Sequence, residues 1–126
     1  MKSLTQVKRA PVKRLVIGLL TAIGAIYSAE AAQDAEFRCT LKGVAVYGNH
    51  IHCECTTTTP DGSNTIRFFA VSTADAKLAD RLLTIGTTAL VSGRRFIAGF
   101  TNGDVSGNSF GCYAKDCRKL TYFGME

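Results

Sequence analysis

The chain has 126 residues, 46% of them hydrophobic and 20% charged, with 15 Lys+Arg against 10 Asp+Glu and a formal net charge of +5. At about 100–200 residues per domain, this length leaves room for one hydrophobic core and excludes a multidomain machine. The basic balance points to nucleic acid or an anionic membrane as partner, so where the charge lies along the chain decides what it means.

The charge is concentrated at the N-terminus. Lys2, Lys8, Arg9, Lys13 and Arg14 precede an apolar run over 15–29, which ends in Ala29-Glu30-Ala31. Basic start, apolar middle and small-x-small ending make 1–31 a secretory signal peptide, with cleavage between Ala31 and Ala32. About 15 apolar residues in a helix span roughly 22 Å, short of a bilayer's hydrocarbon core. The alternative reading is an uncleaved N-terminal anchor; no cysteine follows closely enough for a lipoprotein anchor.

Cleavage removes five basic residues and one acid, so 32–126 retains ten bases against nine acids. A domain at +1 lacks the field on which non-specific phosphate binding rests, which disfavours nucleic acid as partner. All five cysteines lie in this single domain. Export places them where disulfides form and persist, and an odd number leaves at least one free or bridged to another chain.

Residues 37–59 alternate as a hairpin. Phe37, Cys39 and Leu41 lie on one face of the first strand, Ile51, Cys53 and Cys55 on one face of the second, and Gly48 suits a left-handed position in the loop. A turn centred on Tyr47 sets Cys39 opposite Cys55 and Leu41 opposite Cys53, so Cys39–Cys55 is the expected bridge, with Cys39–Cys53 the alternative after a register slip. A turn at Gly48-Asn49 would place Cys39 opposite Thr58. Cys112 and Cys117 can close a small loop, which leaves Cys53 as the free or intermolecular thiol.

Residues 60–64 read as a turn and 65–72 as a third strand, with Phe69 and Val71 opposed in facing to Ile66, Phe68 and Ala70. A helix follows, with Ser72 and Asp75 as a capping pair, Ala74, Leu78, Leu82 and Ile85 on its apolar face, and Gly86 as its stop. Strands are expected at 87–92 and 95–100 about Gly93, then at 109–114 and 118–123, with a turn at Asn102-Gly103 and a mobile loop over 103–111. Three strands, a helix and further strands in this order give a fold class that is mainly β with one helix: a small, disulfide-stabilised Greek-key barrel of the OB type.

Chemistry-bearing motifs are few. In the strand His50-Ile51-His52-Cys53-Glu54-Cys55, the histidines and Glu54 point to one face and the cysteines to the other, so they do not converge on a metal. The expectation is solvent-facing histidines and no cofactor. The chain has no GxSxG, HExxH or Walker sequence, and a Cys53–His pair on one strand points apart, which argues against an enzyme.

The signal peptide, the Cys39…Cys55 hairpin, the single helix and Cys112-Tyr113-Ala114-Lys115-Asp116-Cys117 together resemble the binding subunits of AB5 toxins of the pertussis-toxin and subtilase-cytotoxin type. That resemblance implies an OB-fold subunit, a homo-oligomeric (pentameric) ring beside a toxin A subunit, and recognition of host-surface glycan. Those subunits carry a longer segment before their first cysteine, which contributes to the glycan site; only 32–38 stands there in this chain, so no glycan-binding residue carries over. Residues 65–71, the helix and 86–94 also resemble single-stranded-DNA-binding proteins. This second resemblance implies base stacking on Tyr47, Phe69 and Phe96 with Arg67, Arg94 and Arg95 alongside. From it, Tyr47, Arg67, Phe69, Arg94 and Arg95 are the candidate ligand-binding residues. The expected function is an exported, non-catalytic binding protein; the alternatives are an envelope interaction protein and an exported single-stranded nucleic-acid-binding protein.

Overall fold

The computed structural model describes Gln33–Glu126; the expected signal peptide and its expected cleavage between Ala31 and Ala32 lie outside the described residues. The elements are β1 (Asp34–Cys39), β2 (Leu41–Val46), β3 (His50–Asp61), β4 (Asn64–Ser72), α1 (Ala76–Ser92), β5 (Phe96–Thr101), a 3-10 turn (Ser106–Phe110), β6 (Cys117–Lys119) and β7 (Tyr122–Met125). The domain is mainly β with one α-helix and carries disulfides Cys39–Cys55 and Cys112–Cys117. Among the described residues, no helix is long and apolar enough to cross a membrane.

The strands form two sheets. One has the order β1–β5–β7; the other has β2–β3–β4–β6, with β6 parallel to β4. The chain passes between sheets at two corners. At the first, Thr40 breaks β1 from β2, and its carbonyl accepts from the Thr56 N–H at 2.9 Å. At the second, Leu120 N–H donates to Ala70 of one sheet and Thr121 N–H to Gly99 of the other, both at 2.8 Å. The corners are therefore satisfied, as backbone groups in a fold interior must be. They carry the chain from one sheet to the other, while hydrogen bonding leaves two separate sheets rather than the closed barrel expected from the sequence.

The main core lies between the sheets and α1. Phe69, Phe96, Ile66, Leu82, Cys53 and Cys55 are all 0% exposed, and Phe69 packs against Phe37 and Phe100 at centroid distances of 6.1 and 5.4 Å. Burying one such side chain contributes about 1.5–3 kcal/mol. Ile66 joins Phe69 and Val71 in this core although alternation sets it on the other face, because the β3–β4 register shifts between Glu54 and Thr59.

The hairpin register differs from the one expected. Val46 pairs with Ile51 and Val44 with Cys53, and Tyr47 N–H donates to the His50 carbonyl at 2.8 Å, so the turn is Gly48-Asn49. Gly48 takes no positive φ. A register shift between Leu41 and Gly43 then brings Leu41 opposite Cys55. Cys39 is not in this hairpin at all; it ends β1 in the other sheet, paired with Phe96. The Cys39–Cys55 bridge, with its Cα atoms 5.6 Å apart, therefore staples the two sheets across the first corner. Closing its 16-residue separation contributes on the order of 3 kcal/mol.

The helix also departs from expectation at both ends. Asp75 caps it, its carboxylate accepting from Leu78 N–H, and Gly93 ends it in the left-handed region at φ 73°. Ser72 instead accepts from Ala74 N–H in the turn before. Gly86 is no stop: it is buried on the inner face with Ala79, Leu82 and Ala89. Residues 87–92 are helical despite their β-branched side chains, and the Thr87, Thr88 and Ser92 hydroxyls donate to carbonyls one turn back. Burial of Ala89 against the sheet outweighs the small intrinsic preference of those residues for strands.

Near the C-terminus, 109–114 is no strand but the end of the 3-10 turn and the start of the disulfide loop, and 118–123 divides at the second corner into parts of β6 and β7. The 103–111 segment folds back onto the four-stranded sheet, with Gly107 buried against Cys112 and Lys119.

Candidate functional site

The outer face of β3 and β4 carries the cleft. Alternation sends Ile51, Cys53 and Cys55 into the main core and leaves His50, His52 and Glu54 on the other side. Phe68 and Ala70 of β4 share that outer side and pack with the Cys112–Cys117 bridge and Phe110 as a second small core. The disulfide loop is held down by the Asp116 carbonyl, which accepts from Arg67 and Phe68 N–H at 2.9 and 3.0 Å. Within the loop, Cys117 N–H donates to the Tyr113 carbonyl at 2.9 Å.

Between this loop and the Gly48-Asn49 turn lies an open cleft of about 400 Å³. Its floor is an aromatic ladder. Tyr47 stacks on His50 at 4.7 Å, His50 lies 5.4 Å from His52, and His52 lies 4.8 Å from Phe68. Tyr113 and Asp116 form the opposite wall. Tyr47 and Tyr113 are 51% and 65% exposed, so both rings present apolar surface to solvent. Gly111, left-handed at φ 98°, closes the end; a Cβ there would meet the His50 ring at 2.9 Å.

The histidines lie on one strand face as expected, but they do not simply face water. His50 is buried and its Nδ1 pairs with Asn49 Oδ1 at 2.7 Å. Burial pushes the His50 pKa below its usual value, opposed in part by the Phe110 backbone. Burial also lowers that of His52, helped by His50 and opposed by Glu54 and Asp116. Burial therefore favours the neutral form of both rings. Among the described residues, the His52 ring, the Tyr47 and Tyr113 hydroxyls and the Asp116 carboxylate make no side-chain hydrogen bond within the protein, and no three His, Cys, Asp or Glu side chains form a metal-binding group. The cleft is a set of aromatic faces with donors and acceptors unengaged among the described residues.

Of the sequence-derived candidates, the structure places only Tyr47 in this cleft. Phe69 and Phe96 are core residues at 0% exposure. Arg67 is half-buried, reaching the Cys55 carbonyl at 3.4 Å. Arg94 and Arg95 lie at the C-terminus, where Arg94 donates to the Glu126 carbonyl at 2.9 Å and Arg95 Nε lies 3.7 Å from its carboxylate. Arg67, Phe69, Arg94 and Arg95 thus form no stacking platform with Tyr47. Cys53 is unbridged and buried. No local sequence pattern marks His50, His52, Tyr113 and Asp116 as one site, because separate segments bring them together. The alternation of 50–55 had placed the two histidines on one face, and the Cys112–Cys117 spacing had placed Tyr113 and Asp116 in one loop.

Compared with known proteins, the chain matches no family model, and no curated relative is found for it.

Proposed function

We propose that this chain is an exported, non-catalytic binding protein whose Tyr47–Asp116 cleft holds a saccharide ring, in the manner of the glycan-binding subunit of an AB5-like toxin. The observation that carries the reading is the cleft's make-up: exposed aromatic faces for the apolar face of a sugar, ringed by unengaged hydroxyl, imidazole and carboxylate groups for its hydroxyls. Ligand sites commonly combine apolar walls with a few convergent polar groups, and OB-type folds take oligosaccharides and oligonucleotides on this sheet face and its adjoining loops. The disulfides favour an oxidising compartment, secreted or periplasmic. A homo-oligomeric ring, pentameric in an AB5-like assembly, and an A-subunit partner belong to the same proposal.

Nucleic acid is the poorer occupant, because among the described residues no Lys or Arg lines the cleft to track a phosphate backbone. An envelope interaction protein that recognises another protein is the remaining alternative. Protein recovered from the culture medium or periplasm of the expressing cell should retain glycans on an array, and Tyr47→Ala and Tyr113→Ala should each lose them while remaining folded. Retention unchanged in both variants, or no glycan retained at all, removes the saccharide reading.

A further inference from the structure

Resting on the saccharide reading, we infer that Asp116 sets the charge selectivity of the cleft, so that it accepts neutral or amino-bearing sugars and rejects sugars carrying a carboxylate.

Among the described residues, the Asp116 carboxylate is the only formal charge lining the cleft, and no lysine or arginine does so. The nearby cations are engaged or turned elsewhere. Arg67 reaches the Cys55 carbonyl, Arg118 is buried on Asp61, and Lys119 lies 3.9 Å from Asp104. Lys115 is exposed and does not line the cleft. An anionic sugar would therefore enter against a half-buried carboxylate with no cation to receive its own. Asp116 faces the same space as His52, whose burial disfavours the charged form of the ring.

The carboxylate is also well placed to act on a ligand. The Asp116 backbone is fixed by two strand N–H groups and by its neighbour Cys117's bridge to Cys112. Its side chain accepts nothing from the described residues, so both oxygens remain available to sugar hydroxyls or to an ammonium group. Carboxylate acceptors form hydrogen bonds about twice as strong as neutral ones, which makes this group the dominant polar contact the cleft can offer.

The test is a titration of the exported protein at pH 7 with three forms of one oligosaccharide, differing only in a neutral, amino-bearing or carboxylate-bearing terminal sugar. The neutral form should bind at least tenfold more tightly than the carboxylate form, and the amino form at least as tightly as the neutral. Asp116→Asn should bring the neutral and carboxylate forms within about threefold, and Asp116→Lys should reverse their order. Because the side chain has no hydrogen-bond partner among the described residues, both variants should unfold at the same temperature as the unsubstituted protein. Equal or tighter binding of the carboxylate form, or an unchanged ratio in Asp116→Asn, overturns the inference and leaves the saccharide reading standing. Failure to bind any of the three removes the reading and the inference together.

Discussion

Arg118 Nε donates to Asp61 Oδ2 at 2.6 Å across 57 residues of sequence, and the two side chains are only 1% and 6% exposed. Arg118 also donates to the Ala114 and Cys117 carbonyls at 2.6 and 2.7 Å, and Asp61 accepts from Gly103 N–H at 2.8 Å. One buried pair thereby ties the β3–β4 turn, the start of the loop after β5 and the disulfide loop that walls the cleft. Removing one partner strands the other charge in the interior, at a cost of about 3–5 kcal/mol. Arg118→Met should lower the unfolding free energy by that amount in urea melts, whereas Asp61→Asn, which keeps an acceptor for Gly103, should cost less. A loss under 1 kcal/mol in Arg118→Met would show that the clasp holds nothing.

The same pair gives the domain an acid limit. Burial alone would raise the Asp61 carboxyl, but the Gly103 N–H and Arg118 outweigh it and hold it below the usual carboxylate range. A lowered carboxyl contributes stability that is present above its unfolded value near 3.9 and lost as pH falls through the folded value. Urea midpoints should fall between pH 4 and 2, and the fall should be shallower in Asp61→Asn.

His50 and His52 act in a higher window. Burial is the main cause lowering both from 6.5. A base with a lowered pKa takes up fewer protons folded than unfolded, so its contribution is complete above 6.5 and drains away as pH falls below that value. Stability should therefore decline from pH 7 to 5, and a His50→Gln, His52→Gln double variant should be flatter over that range. An equally steep profile in the double variant would place the pH sensitivity elsewhere.

Gly86 is buried where the helix packs on the sheet. A Cβ at Gly86 would lie 2.9 Å from Cys53 Sγ and 3.2 Å from Val44 Cγ2. Alanine is worth about 1 kcal/mol over glycine in a helix interior, while overpacking a core typically costs 1–3 kcal/mol. Gly86→Ala should be destabilising by about 1 kcal/mol, and in a Cys53→Ala background the same change should be neutral or stabilising. Thermal melts of the four proteins decide this; additive effects would mean that sulfur is not the obstacle.

Cys53 should behave as an inert thiol. It is 0% exposed, and burial pushes its pKa up to about 12. Such a group presents almost no thiolate at neutral pH and cannot reach a second chain without unfolding. A thiol reagent should find no reactive group in the native protein at pH 8 and one per chain in denaturant without reductant. A disulfide-linked dimer of folded protein would contradict this.

The sequence reading and the structure part company at identifiable places. Alternation over 50–55 correctly separates the histidine face from the cysteine face, because each strand residue's facing is set by its immediate neighbours. Register is not local in that sense. Gly48-Asn49 and the shift at Lys42 jointly decide which residue meets Cys55, and the break at Thr40 moves Cys39 into the other sheet. The bridge between them thus exists for a reason the hairpin argument did not contain. Gly86 looked like a helix stop because glycine commonly is one; only the presence of β2 and Cys53 beneath it makes a missing side chain useful in mid-helix.

From the sequence alone follow a mainly β domain with one helix between its strands, the inward-facing residues of β1 and of the first half of β3, and cysteines spaced for two bridges. These are determined by short-range periodicity and turn chemistry. Tertiary structure decided the rest: two sheets joined at Thr40 and Leu120-Thr121 with no closed barrel, a helix running through Gly86, the Asp61–Arg118 clasp, and a cleft joining Tyr47, His52, Tyr113 and Asp116. Each of these depends on segments tens of residues apart meeting in one register, and burial and backbone hydrogen bonding select that register only when the whole domain closes around its core.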